Sequence, residues 1–222
     1  MLAKTPPMGW NSWNTFGHDI NEKVVLETAD AMVELGLDKL GYKYVVIDDC
    51  WAKKERDPVT GRLVPDLEKF PHGMKYVADK IHEKGYLAGI WIAPFSAQRV
   101  SKVAKEHPDW LLKHDGKPWY AGCNWGGFYA LDFDHPGVQD HLRRTFDKVI
   151  NEWGFDLVKL DFLYGAAPWK TAGGVFDGES RGGRIGWNEA LDLLDPLWVS
   201  VEKLHRAGVI HRGICCDNIT VT

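Results

Sequence analysis

Four apolar, strand-like runs alternate with helix-like runs between Met8 and Gly165, and this alternation limits the chain to a parallel α/β architecture. The runs are MGWNSW (8–13), YKYVVIDDCW (42–51), YLAGIWIAPF (86–95) and FDLVKLDFLYG (155–165). After the first, Asp19 or Asn21 is placed to cap a helix whose Val25, Ala29 and Met32 share one stripe and which Gly36 stops. After the second, PHGMKYVADKIHEKG (71–85) predicts a helix opened by proline and closed by glycine. A longer excursion from Ser96 to Asp134 holds a short helix, a hairpin-like KHDGKPW and a Gly/Trp-rich loop. PGVQDHLRRTFDKVINEWG (136–154) then follows with strong helical periodicity. Parallel strands with right-handed crossovers form an open doubly wound sheet or a (β/α)8 barrel. A nucleotide site on the former needs G-x-G-x-x-G or G-x-x-x-x-G-K-[ST] after a strand, and neither occurs. Polar or aromatic residues close each strand instead: Asn11 and Trp13, Asp48 and Asp49, Trp91, then Lys159 and Asp161. Their convergence at one end of a parallel sheet is the barrel pattern.

The fourth strand reads as fully buried except for two charges. Val158, Leu160 and Phe162 form one apolar row, so Lys159 and Asp161 share the opposite face. A buried carboxylate is costly unless paired or placed at a solvated mouth, which puts the pair near the C-terminal end of the strand. Carboxylates at an aromatic-lined mouth suit glycoside hydrolysis, where one attacks the anomeric carbon and another protonates the leaving oxygen. Asp161 is the candidate nucleophile, held ionised by Lys159, which can also donate to a sugar hydroxyl. Asp48 and Asp49 are candidates to accept from adjacent hydroxyls, and Trp13 and Trp91 to offer flat faces to a pyranose ring. Each has a purely structural reading as well: a loop pair or helix cap for Asp48 and Asp49, core packing for Trp91, an ion pair above the core for Lys159 and Asp161.

Composition narrows the partners. A net charge of −4 gives no electrostatic case for nucleic acid or an anionic membrane surface. The start, MLAKTPPMGW, has no basic segment followed by an apolar one, and no apolar run reaches the ~18 residues of a membrane span. The expected location is the cytoplasm. The four cysteines lack metal-ligand spacing, and adjacent Cys215 and Cys216 are expected as reduced thiols, so neither metal nor cofactor is expected. Eleven tryptophans exceed what a core of this size needs and fit a sugar-binding surface.

TPPMGWNSWNTF, GYKYVVIDDCW, KFPHGMKYVADKIHEKGYLAGIWIAPF, EHPDWLLKHDGKPW and WGFDLVKLDFLYGAA together resemble the α-galactosidase (melibiase) clan of retaining glycoside hydrolases, from about Thr5 to Ala167. The resemblance implies a (β/α)8 barrel, double displacement and an α-galactoside substrate. Matched motif by motif, it implies Asp161 as nucleophile, Lys159 as a sugar-contacting lysine, Asp48 and Asp49 as the hydroxyl-binding pair, and Trp13 and Trp91 as sugar-contacting aromatics.

Residues 1–167 are thus expected to form about the N-terminal half of such a barrel, and 168–222 a divergent or fused helical tail. The family's acid/base aspartate lies several tens of residues past the nucleophile, which makes Asp217 the candidate here. In the tail, Ala190, Leu191, Leu194, Leu197, Trp198, Val201 and Leu204 form an apolar stripe. Its end resembles the protein-kinase catalytic loop: His211, Arg212 and Asn218 match H-R-D-x-x-x-x-N, but Gly213 replaces the aspartate. Without a nucleotide cradle or metal ligands, phosphoryl transfer is not expected. Two expectations follow: an α-galactosidase, impaired if truncated, or a non-catalytic relative that binds sugar or serves as a scaffold. An exposed half-barrel edge would favour homo-oligomers.

Overall fold

The computed structural model describes residues 6–53, 63–114 and 116–163. They divide into two compact units, one of residues up to Ile92 with Arg143–Asp161, the other of Ala93–Leu142 with Phe162 and Leu163. The strands are β1 (Gly9–Asn11), β2 (Tyr44–Ile47), β3 (Leu87–Ile92), β4 (Ser96–Gln98), β5 (Lys113–His114), β6 (Lys117–Pro118), β7 (Tyr120–Gly122), β8 (Phe128–Ala130) and β9 (Leu157–Leu160). The helices are α1 (Trp13–Phe16), α2 (Glu22–Glu34), α3 (Gly73–Glu83), α4 (Lys102–Glu106) and α5 (Pro136–Asp147), the last running into a π turn over Lys148–Glu152.

The first unit holds a four-stranded sheet in the order β1-β2-β3-β9, every pair parallel. The order follows the chain without reversal, as in a barrel and unlike a doubly wound sheet, whose order reverses at a switch point. Asn21 caps α2 by accepting from the Val24 N–H at 3.0 Å, and Val25, Ala29 and Met32 are buried as their spacing predicts. In α3 the buried stripe is Met74, Val77, Ala78 and Ile81, but the helix begins at Gly73, so Pro71 precedes it. Gly73 sits at φ 77, a left-handed backbone that breaks the chain direction between the proline and the helix. At the start of β9, Asp156 exchanges backbone bonds with β3: its N–H donates to Ala88 O at 2.9 Å and its Oδ2 accepts from Ala88 N–H at 2.9 Å. The same oxygen meets His82 Nε2 at 2.7 Å, so α3, β3 and β9 are pinned at one point.

Register decides which side chains share a layer. Asn11 pairs with Val46, Val46 with Gly89, and Gly89 with Leu157. A Cβ on Gly89 would lie 2.8 Å from Val46 Cγ2 and 3.3 Å from Leu157 Cδ2, so only glycine lets these neighbours close over β3. Gly89→Ala is expected to cost about 1–3 kcal/mol through overpacking, read as a lower urea midpoint at unchanged slope.

Among the described residues β9 is the last strand of this sheet, and Val158 and Leu160 are half-buried rather than buried. The expected apolar row also stops short, because the strand ends at Leu160 and Phe162 turns left-handed at φ 55. The apolar run alone does not distinguish an edge strand from an interior one. Beneath the sheet, the Tyr86 Oη is buried without a hydrogen-bond partner among the described residues. Burial, and then the Asp38 charge, push its pKa up. A phenol raised on folding carries stability that is present below its unfolded pKa, about 10, and is lost as pH rises through the folded value. Tyr86→Phe is therefore expected to leave stability at about pH 7 within ~1 kcal/mol of the parent and to flatten its alkaline fall, measured by urea denaturation at about pH 7 and above about pH 10.

The second unit contains the antiparallel sheet β4-β8-β7 and the β5–β6 ribbon, the hairpin predicted from KHDGKPW. Here Trp125 packs edge-on to Phe162 at 4.7 Å, and Phe128 meets the same ring at 5.7 Å. Among the described residues no helix is long and apolar enough to cross a membrane.

Candidate active site

The candidate site is built on the C-terminal ends of the four parallel strands, all within the first unit. Alternation places Val46 and Asp48, Gly89 and Trp91, and Leu157, Lys159 and Asp161 on one face, and the register sets Trp91 opposite Lys159. One layer above the Gly89 floor, this face becomes charged.

Asp48 is its buried centre, with 3% of its side chain exposed. Its Oδ2 accepts from Lys159 Nζ at 2.7 Å and from Asn11 Nδ2 at 2.7 Å, and its Oδ1 accepts from the Asp49 N–H at 2.9 Å. Its own N–H donates to the buried Ser12 Oγ at 2.9 Å. A carboxylate this dry needs such a shell, since burial without partners would cost several kcal/mol. Lys159 Nζ also lies 3.7 Å from Asp161 Oδ2, so one ammonium stands between two carboxylates.

Asp161 is the exposed member, at 39%. Its N–H donates to Ile92 O at 3.0 Å, which extends the β3–β9 ladder by one residue, and its Oδ2 accepts from the Trp91 indole Nε1–H at 2.9 Å. The left-handed Phe162 follows at once, so Asp161 stands where the strand stops and its carboxylate meets solvent. Trp91 is itself buried, and its carbonyl accepts from the Trp51 Nε1–H at 2.9 Å. Trp51 in turn packs edge-on against Trp153 at 5.6 Å.

Direct contacts therefore join Asp48, Trp91, Lys159 and Asp161. Asp49 flanks them, accepting from the Cys50 N–H at 2.6 Å, and Cys50 is left-handed at φ 74. Trp13, 41% exposed, opens α1; its N–H donates to Asn11 Oδ1 at 3.0 Å and its ring tilts over His18. Asp217 and the 168–222 tail with its kinase-like end lie outside the described residues. Asn11, which the strand-end pattern named without a role, and Ser12 and Trp51, which it did not name, support these residues. Their signal was the local WNSW and DDCW spelling, in which each polar or indole group needs a partner on the next strand.

The arrangement offers an accessible, hydrogen-bonded carboxylate beside a cation, backed by a buried ionic layer and flanked by an exposed indole. Such a surface has the donors and acceptors to hydrogen-bond a polyhydroxylated ligand and a carboxylate oxygen able to attack an electrophilic carbon. Among the described residues, no group of three or more His, Cys, Asp or Glu side chains could hold a metal ion.

Comparison with known proteins places this geometry. The melibiase family model matches residues 2–166. An α-galactosidase of Cyamopsis tetragonoloba is 58% identical over 134 residues, which is 60% of this chain and 31% of the relative. An α-galactosidase of Zygotorulaspora mrakii is 53% identical over 194 residues, covering 78% of this chain and 39% of the relative. Among solved structures, the Thermus thermophilus α-galactosidase TtGalA in complex with p-nitrophenyl α-D-galactopyranoside superposes with a TM-score of 0.64 at 35% identity, over 76% of this chain and 33% of that one. The chain thus spans about a third of the length of the proteins it resembles. Its fold is α/β of the (β/α)8-barrel type, with four consecutive parallel strands in the described part. On the matched residues, which span most of its length, the chain belongs to the melibiase family.

Proposed function

We propose that the chain is an α-galactosidase-type glycoside hydrolase that acts on terminal α-linked galactose by a retaining double displacement, with Asp161 as nucleophile. The observation that carries this reading is the Asp161 carboxylate itself, solvent-accessible at the end of β9 and fixed from two sides by the Trp91 indole and the β3 ladder. In the first step an Asp161 oxygen forms a bond to the anomeric carbon while the leaving oxygen departs with its electron pair and takes a proton from a general acid. Water then cleaves the glycosyl ester, with the conjugate base accepting its proton. Asp217 is the proposed acid/base.

Lys159 and Asp48 have a second task on this reading. The ammonium has three donors and spends one on Asp48, which leaves capacity for a sugar hydroxyl. Asp48 and Asp49 supply acceptors for adjacent hydroxyls, and Trp13 an apolar face.

The test is intact mass after incubation with an activated 2-deoxy-2-fluoro-α-galactosyl trap, whose good leaving group needs little acid assistance. The expected result is one galactosyl adduct that maps to Asp161 and is missing from Asp161→Ala. A folded, monodisperse sample that takes up no label would favour the non-catalytic reading, in which the same cluster binds sugar or merely secures the sheet.

A further inference from the structure

We infer that Asn11 is the positioning residue of this site: one carboxamide sets both the aromatic wall and the buried ionic layer. This rests on the reading of the site as galactoside-binding. The two ends of the side chain do different work. Oδ1 accepts from the Trp13 backbone N–H at 3.0 Å, which starts α1 and places the exposed indole. Nδ2 donates to Asp48 Oδ2 at 2.7 Å, the same oxygen that takes Lys159 Nζ at 2.7 Å. The amide orientation follows from its partners, because a backbone N–H can only donate and an ionised carboxylate can only accept. A side chain at this position must therefore accept at one end and donate at the other.

Register explains why position 11 has this reach. Asn11 lies opposite Val46, one layer below Asp48, and β1 ends at Asn11 itself, so the chain turns away into α1 just where the carboxamide points up the face. The neighbouring Ser12 holds the Asp48 N–H, which fixes the backbone while Asn11 fixes the carboxylate. With both in place, Asp48 has one geometry, and Lys159 is aimed between it and Asp161.

The requirement for a donor and an acceptor in one side chain makes the inference testable. Leucine can supply neither end. Aspartate is nearly isosteric and keeps the acceptor for Trp13, but it donates to Asp48 only when protonated. The titratable groups around it are Asp48, Lys159 and, through Lys159, Asp161, with Asp49 next in the chain after Asp48 and His18 beside the Trp13 ring. Two carboxylates so close share a proton more readily as pH falls. Asn11→Asp should therefore resemble the parent in acid and depart from it in base.

Three readouts are compared in the parent, Asn11→Leu and Asn11→Asp: hydrogen exchange at the Trp13 amide, acetylation of Lys159 followed by peptide mass, and the rate of labelling by the 2-fluorogalactosyl trap. Asn11→Leu is expected to speed both Trp13 exchange and Lys159 acetylation, and to slow labelling by roughly 10- to 100-fold at every pH, the scale of a misplaced first contact. Asn11→Asp is expected to keep the Trp13 amide protected, and its labelling relative to the parent should fall by about ten-fold between about pH 5 and about pH 8. Asn11→Leu with unchanged exchange and acetylation, or Asn11→Asp following the parent at all pH values, overturns the inference. A parent that takes no label while exchange and acetylation shift as expected leaves Asn11 in its positioning role and defeats the hydrolase reading instead.

Discussion

Asp161→Ala is expected to slow turnover of an aryl α-galactoside by about 10³-fold or more, and added azide is expected to restore part of the rate. The carboxylate is 39% exposed and its backbone ladder bond to Ile92 needs no side chain, so the substitution should leave the fold intact. The loss is then chemical: no oxygen remains to bond to the anomeric carbon. Azide can occupy the vacated space and attack that carbon as the leaving group departs with its electron pair. One displacement inverts the centre, so the product should be the β-galactosyl azide, whereas the parent is expected to release galactose with its configuration retained. Unreduced turnover in the variant, or an azide product of α configuration, would remove Asp161 from the nucleophile's role.

The largest effect on stability should come from Lys159→Met. Asp48 is 3% exposed and Lys159 20%, and removing the cation leaves a buried carboxylate with only neutral donors, a change that typically costs about 3–5 kcal/mol. Asn11 and the Asp49 N–H remain bonded, which places the expected loss near the lower end, about 3 kcal/mol. Lys159→Met combined with Asp48→Asn should recover much of it, because the uncompensated charge goes too. The exposed Lys75–Asp79 pair at 2.8 Å is the contrast: breaking it should shift stability by no more than about 0.5 kcal/mol. Urea midpoints for the four variants of the 48/159 cycle test this. A Lys159→Met chain as stable as its parent would mean that Asp48 is not held by this ammonium.

These two residues also mark how far the sequence could be read. The period of two put Lys159 and Asp161 on one face, and the strand-end pattern put Asp48, Asp49, Trp13 and Trp91 near them, since both signals are local. The burial of Asp48 was not legible, because it depends on a partner 111 residues away and on the β1–β2 register that brings Asn11 to it. β9 reads as buried because apolar residues do not say how many neighbours a strand has, and among the described residues only β3 borders it. The α3 start was misplaced for a similar reason. Proline favours a first helical turn, but the left-handed Gly73 after it resets the chain direction. The parallel direction of the strands, by contrast, follows from alternation alone.

The chain-order arrangement of the sheet has a consequence for biosynthesis. Strands emerge from a ribosome in the order in which they pair, so β1, β2 and β3 can associate while the rest is still being made. Asp48 meets Asn11 and Ser12 early, but the 111 residues that separate it from Lys159 take roughly 6–22 s to add at about 5–20 residues per second. During that interval the nascent sheet carries an acid without its base. Until then its carboxylate depends on water and on the Asn11 and Asp49 donors. Arrival of β9 delivers Lys159 and Asp161 in one segment, so the buried Asp48 gains its counter-charge in the same step that places the exposed Asp161 carboxylate at the strand end.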